Sequence, residues 1–245
     1  MCLILIAYKV DSEKPLIVGA NRDENFNRPT AAAEFWPDQP NIFAGRDLQE
    51  KGTWLGISTD GRFAAIANRN RSNEVDEKRC SRGLLVSDFL KCDLTGTEFV
   101  SNIECEQYNG FNLVVYDGQR LTFFSNCERD SIVITPGFFA ITNNAFGEST
   151  KRSRLAIDRF SKLTCLTDTC DIFAVLQLKS DDREDFGREN DEPSESQAIF
   201  LQGDIYGTRS STVVIYRERN LTLSEQQYRN DGELGNFTQH LIHLN

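Results

Sequence analysis

Two Asp-Gly pairs constrain this chain more than any other feature. Asp60-Gly61 separates the apolar runs Thr53–Thr59 and Arg62–Arg69, and Asp117-Gly118 separates Phe111–Tyr116 from Leu121–Phe124. Asp-Gly between apolar runs favours a tight turn with positive φ, whose twist matches that of paired antiparallel strands. Each pair therefore marks a hairpin. Longer connections repeat the pattern. Residues 2–10 and 15–20 flank Asp11-Ser12-Glu13-Lys14-Pro15, and Ser211–Tyr216 precedes Leu221–Leu223. Ile132–Ile134 and Phe138–Ile141 add two more strands.

Helical periodicity lies between these strands. Leu84, Leu85, Phe89 and Leu90 recur near a 3.6-residue period inside a stretch running from Ser81 to about Tyr108. Thr150–Leu163 reads as an exposed basic helix and Cys170–Leu178 as a second one. The expected class is α+β: two antiparallel sheets packed face to face with helices outside, a four-layer αββα sandwich. A chain of 245 residues suits one such domain over residues 1–245. Residues 21–29 and 70–80 are expected as polar loops. Residues 180–196, acidic and nearly free of apolar groups, are expected as a mobile surface loop. The pattern weakens past Glu225, towards His240 and His243.

The charge balance argues against nucleic acid. The 37 acidic residues exceed the 27 basic ones, for a formal net charge of −10, and such a surface repels phosphate backbones. The 7 cysteines are odd in number and include no C-x-x-C pair, so neither a disulfide framework nor a zinc ribbon is signalled. Reduced thiols in a cytoplasmic setting are expected. The apolar run Cys2–Tyr8 lacks a basic leader and is too short to span a bilayer, so any membrane contact would be peripheral.

Several residues carry chemistry. Once Met1 is removed, Cys2 bears a thiol and a free α-amine, whose pKa of about 7.7–8.0 suits it to act as base for its own side chain. A retained Met1 would block that amine. The competing reading is an ordinary apolar strand that happens to open on cysteine. Asn21-Arg22-Asp23-Glu24 follows the second strand, either as a solvated turn or as a site. Arg22 would favour a thiolate, and Asp23 could hold an amine. Asn68 and Asn143 end strands, where amides can stabilise an oxyanion or simply make turns. Arg209 precedes the strand Ser210–Tyr216. Arg69, Arg71, Lys78, Arg79 and Arg82 form a basic stretch able to pair with propionates or phosphates, though Glu74, Asp76 and Glu77 sit among them.

An ordered set of motifs then points to a family. Met1-Cys2, Ala20-Asn21-Arg22-Asp23-Glu24, Arg28-Pro29-Thr30, Gly45-Arg46-Asp47, Gly52-Thr53-Trp54-Leu55-Gly56, Asp60-Gly61-Arg62-Phe63-Ala64-Ala65, Ser81-Arg82-Gly83 and Tyr206-Gly207-Thr208-Arg209-Ser210-Ser211-Thr212 span nearly the whole chain. This set resembles the transport and Golgi organisation protein 2 family, also called the Asn-Arg-Asp-Glu family. More distantly it resembles the choloylglycine hydrolases and penicillin acylases. The resemblance implies an N-terminal-nucleophile hydrolase-like fold. It implies a pocket of Cys2, Arg22, Asp23, Asn68, Asn143 and Arg209, with Cys2 as nucleophile and base. It also implies intracellular haem trafficking with a link to lipid homeostasis, in the cytoplasm and at mitochondria or Golgi. Haem or another small anionic amphiphile would be cargo, with Arg69, Arg71 and Arg79 as contacts, and no metal or prosthetic group is expected. The alternative is a Cys2-dependent hydrolase of a small amide or acyl conjugate. Oligomeric state is not legible from these residues.

Overall fold

The structure, a computed structural model, describes residues 2–69, 76, 78–163, 168–179 and 198–244. Its strands form two antiparallel sheets, of six and seven strands, and the chain divides into two compact units with one sheet in each. The first unit takes residues 1–28, 136–141 and 147–242; the second takes 29–135, 142–146 and 243–245. The acidic stretch 180–196, Met1 and Arg71 lie outside the described residues.

In the first unit the sheet order is β10 (Gly137–Ile141), β1 (Cys2–Tyr8), β2 (Leu16–Asn25), β11 (Tyr206–Arg217), β12 (Asn220–Tyr228) and β13 (Leu234–His243). Cys2 thus opens an interior strand flanked by β10 and β2. Helices α3 (Lys151–Ser161) and α4 (Thr169–Leu176) pack on one face of this sheet. Their core joins Leu3, Leu5, Ala7, Ile17, Val213 and Ile215 to Ala156, Phe160, Ile172 and Leu176. Gly19 lets α4 close onto β2, because a Cβ there would lie 2.9 Å from Ile172 Cγ2. Thr150 caps α3 in a reciprocal capping box with Ser153, and Asp168 caps α4.

In the second unit the order is β3 (Thr30–Trp36), β4 (Gln39–Asp47), β5 (Leu55–Ser58), β6 (Phe63–Asn68), β7 (Phe111–Tyr116), β8 (Leu121–Ser125) and β9 (Asp130–Val133). Both Asp-Gly pairs are turns, with Gly61 at φ 84° and Gly118 at φ 90°. Helix α1 (Gly83–Lys91) covers β4, β5 and β6, and α2 (Gly96–Ser101) packs on β8. Leu85, Val86, Phe89 and Leu90 bury against Ile42, Ala64, Ile66, Leu113 and Phe124. Arg62 threads this unit. Its guanidinium lies 4.1 Å from the Phe89 ring centre and donates to the Phe89 and Leu94 carbonyls.

Four elements differ from the sequence expectation. Residues 21–25 are strand, not loop, because the polar side chains of β2 find buried partners. β3 and β4 had no sequence signal, since alanines and Pro40 break the strand pattern. The single helical stretch 81–108 splits into α1, α2 and the short 3₁₀ turn Cys105–Gln107. The break falls where Cys92 turns extended and Thr95, in a capping box with Glu98, starts a new helix. The tail forms β13, which the sequence hid because its residues stay largely exposed, as Leu234, Phe237 and Leu241 do.

Candidate functional site

The Asn21-Arg22-Asp23-Glu24 motif divides by the period-two geometry of a strand. Asn21 and Asp23 turn to the face covered by α3 and α4. Asn21 Nδ2 donates to the Leu176 and Ile199 carbonyls at 2.8 and 3.0 Å, and its Oδ1 accepts from Ser211 Oγ at 2.6 Å. Asp23 is wholly buried. Its carboxylate accepts from Arg152 Nη1 and from Thr208 Oγ1, both at 2.7 Å, while Arg152 Nη2 donates to the Ile199 carbonyl. Half of the motif therefore locks β2, β11, α3 and residue 199 together.

Arg22 turns to the opposite face. There it stands directly across from Cys2 on one side and Ser210 on the other. Arg22 is 5% exposed, and Glu24 Oε2 lies 4.0 Å from its Nη2. Cys2 retains partial exposure as a residue, yet packing around its thiol dominates its chemistry. Burial pushes the thiol above its ordinary pKa and the Asp23 carboxylate adds to this, while Arg22 and a hydrogen bond from the Asp23 backbone pull it down. At neutral pH the thiol is held protonated. Cys2 is therefore expected to be alkylated by iodoacetamide more slowly than exposed Cys80 and Cys170. Its rate should keep climbing past the ~8.5 pKa of a free thiol. Peptide mapping across a pH series measures this, and a Cys2 rate matching the exposed thiols would refute it.

Arg209 reaches residues 25–28, beyond the motif. It is the extra residue at a bulge in β11, and its guanidinium donates to the Asn25 and Arg28 carbonyls and lies over Phe26. It clamps the turn that follows the motif.

The two asparagines belong to the second unit. Asn68 is the exposed last residue of β6. Asn143 follows β10, is 7% exposed, and its Oδ1 has no hydrogen-bond partner among the described residues. Its loop is held by residues the sequence did not single out for this purpose. Asn112 donates to the Thr142 and Asn144 carbonyls, and Arg69 donates to the Asn143 carbonyl at 3.1 Å while pairing with Glu128 at 2.7 Å. Arg79 bonds the Tyr108 carbonyl and Asp76.

Cys2 and Arg22 are thus neighbours, with Asp23 adjacent but facing the helices. Sequence reasoning missed Arg152, Thr208, Ser210, Ser211 and Asn112. For Thr208, Ser210 and Ser211 a signal existed, since they sit in the Tyr206–Thr212 motif. Arg152 lies in a helix rich in basic residues and gave none.

The family model "Transport and Golgi organisation 2" matches residues 1–230. The "Transport and Golgi organization protein 2 homolog" of Homo sapiens is 33% identical over 227 residues, covering 82% of this chain and 81% of that protein. The "Transport and Golgi organization 2 homolog" of Mus musculus is 32% identical with the same coverage. Among solved structures, the Caenorhabditis elegans N-acylethanolamine-hydrolyzing acid amidase ortholog superposes with a TM-score of 0.55 at 14% identity, over 87% of this chain and 92% of that one. That likeness shows a shared fold, so the α+β class with two antiparallel sheets, N-terminal-nucleophile hydrolase-like, stands as expected from the sequence. No helix among the described residues is long and apolar enough to cross a membrane.

Proposed function

Because this chain belongs to the Transport and Golgi organisation 2 family, we propose that it is a haem-mobilising carrier linked to lipid homeostasis, using an N-terminal-nucleophile hydrolase-like fold for binding rather than bond cleavage. The observation that carries this reading is the buried Arg22 guanidinium directly across from Cys2. Burial raises the Cys2 thiol above its ordinary range. The carboxylate best placed by sequence to serve a nucleophile, Asp23, is committed to Arg152 and Thr208 on the other face of the sheet. What the Cys2 face does offer is a buried guanidinium, Arg22, suited to an anionic group. The basic residues Arg69, Arg71 and Arg79 of the second unit are a separate proposed contact for an anionic group. Action in the cytoplasm, in association with mitochondria or Golgi, belongs to the same reading.

A second reading is favoured by one specific observation. Cys2 opens β1 directly opposite Arg22, on a fold shared with an acid amidase. A thiol hydrolase would use the same atoms, with the α-amine exposed by Met1 removal as base.

The two readings part at Cys2→Ala. In cells depleted of the native protein and carrying a haem-dependent peroxidase reporter, Cys2→Ala is expected to restore most of the wild-type haem delivery. Charge reversal at Arg79 should reduce it. Loss of delivery in Cys2→Ala and in a Met1-retaining form alike, with circular dichroism unchanged, would make the protein a thiol hydrolase instead.

A further inference from the structure

We propose that the Ser210 hydroxyl, on the sheet face it shares with Cys2 and Arg22, is a ligand contact that donates to the carboxylate of an anionic amphiphile, an inference that rests on the carrier reading of the Cys2 site. Ser210 is 4% exposed, and its Oγ is buried with no hydrogen-bond partner among the described residues. A hydroxyl removed from water without a partner destabilises the fold, so native chains seldom leave one. Ser211 next to it shows the ordinary outcome: its Oγ donates to Asn21 Oδ1 and accepts from Tyr228 Oη. The difference is the face. Ser211 meets the helices, whereas Ser210 meets the face that carries the thiol.

The backbone places Ser210 there by a specific device. β11 and β2 pair Thr208 with Asp23 and then Ser210 with Arg22, leaving Arg209 as an extra, bulged residue. Without the bulge Arg209 would stand opposite Arg22, setting like charges side by side in a buried row. The bulge sends the Arg209 guanidinium to the Asn25 and Arg28 carbonyls and puts a small hydroxyl in its place. Cys2, Arg22 and Ser210 then form one cross-strand row, with paired residues about 5 Å apart.

The chemistry of that row names its ligand. A guanidinium beside a hydroxyl donor is complementary to a carboxylate. The next rows on the same face are Ile4, Ala20 and Thr212, then Ile6, Val18 and Val214, mostly apolar and all buried. A polar end abutting apolar rows suits a molecule with a carboxylate head and an apolar body. A haem propionate and a fatty carboxylate share this chemistry.

Equilibrium dialysis of the full chain with oleate and with haemin, alongside methyl oleate and haemin dimethyl ester, tests the assignment. Ser210→Ala is expected to bind both carboxylates about tenfold or more weakly, the worth of one hydrogen bond to a charged group. Both proteins should bind the esters alike. The thermal midpoint of Ser210→Ala should equal or exceed that of wild type, because no internal hydrogen bond is lost, whereas Ser211→Ala should lower it. Unchanged affinity of Ser210→Ala for the carboxylates, or a lowered midpoint, would overturn the proposal, as would failure of the wild-type chain to bind either carboxylate. Wild-type binding of oleate but not haemin, with loss in Ser210→Ala, would uphold Ser210 and overturn the haem reading. Haemin binding equal in both proteins would do the reverse.

Discussion

Arg152→Ala is expected to destabilise the protein by roughly 3–5 kcal/mol, because it leaves the Asp23 carboxylate buried with its charge partner gone. The pair is deep, with side-chain exposures of 4% and 0%, and Arg152 Nη1 sits 2.7 Å from Asp23 Oδ2. Thr208 Oγ1 still donates to Asp23 Oδ1. Thr208 also accepts from the Leu201 backbone, so strain at Asp23 passes to the segment entering β11. The Ile199 carbonyl loses its Arg152 donor as well, although Asn21 still reaches it. For a chain of this length the thermal midpoint should fall on the order of 10 °C. Asp23→Asn, which removes the charge and keeps the shape, should cost less than Arg152→Ala. The double variant Asp23→Asn with Arg152→Met should cost less than the sum of the single changes, since no unpaired charge remains. Urea unfolding of the four proteins measures each value. Additive losses would show that the two side chains act independently.

The same network explains how far the sequence could be read. Hairpins at Asp60-Gly61 and Asp117-Gly118 were legible because a tight turn is a local event and Asp-Gly declares it. The helices Lys151–Ser161 and Thr169–Leu176 were legible as the stretches Thr150–Leu163 and Cys170–Leu178. The character of Asn21-Arg22-Asp23-Glu24 was not. Four polar residues after an apolar run read as a loop, and only distant partners make them strand. Asp23 meets Arg152 129 positions away, and Asn21 meets Ser211 190 positions away. Single-sequence reasoning has no access to pairings at such separation. The neighbourhood of Cys2 and Arg22 was inferred from the motif set, whereas the direction in which Asp23 and Arg209 point required the strand register and the bulge. Ser210 lay in a quoted motif, but its orientation was hidden for the same reason: its face depends on one inserted residue. The motif set also mixed two kinds of residue. Arg46 is held by Asp38 and stacks 4.2 Å over Trp36, and Arg62 bonds backbone carbonyls around Phe89, so both maintain the second unit rather than bind a ligand.

Gly52→Ala should be among the most damaging small substitutions in the second unit, at about 3 kcal/mol or more, the upper end of the cost of overpacking. An added Cβ at Gly52 would lie 2.4 Å from the Gly83 carbonyl carbon, 2.6 Å from its oxygen and 2.7 Å from Leu84 N. All three are backbone atoms, so no side chain can swing aside. Gly83 presents the matching surface, because its own Cβ would lie 3.0 Å from the Thr53 oxygen. The two motifs Gly52-Thr53-Trp54 and Ser81-Arg82-Gly83 therefore mark one close crossing, closed by a hydrogen bond from Thr53 N to Gly83 O at 3.1 Å. Gly83 is also the first residue of α1, whose Leu85, Val86, Phe89 and Leu90 fill the core of this unit. Relief of the clash must move the start of α1 outward, which loosens every one of those contacts. Gly118→Asn is the matched control. No atom lies within 4 Å of its Cβ position, and asparagine tolerates the φ of 90° better than other side chains, so the loss should stay near 1 kcal/mol. Thermal unfolding of the two variants beside wild type measures the difference, and a Gly52→Ala midpoint as high as that of Gly118→Asn would show that the crossing has room to open.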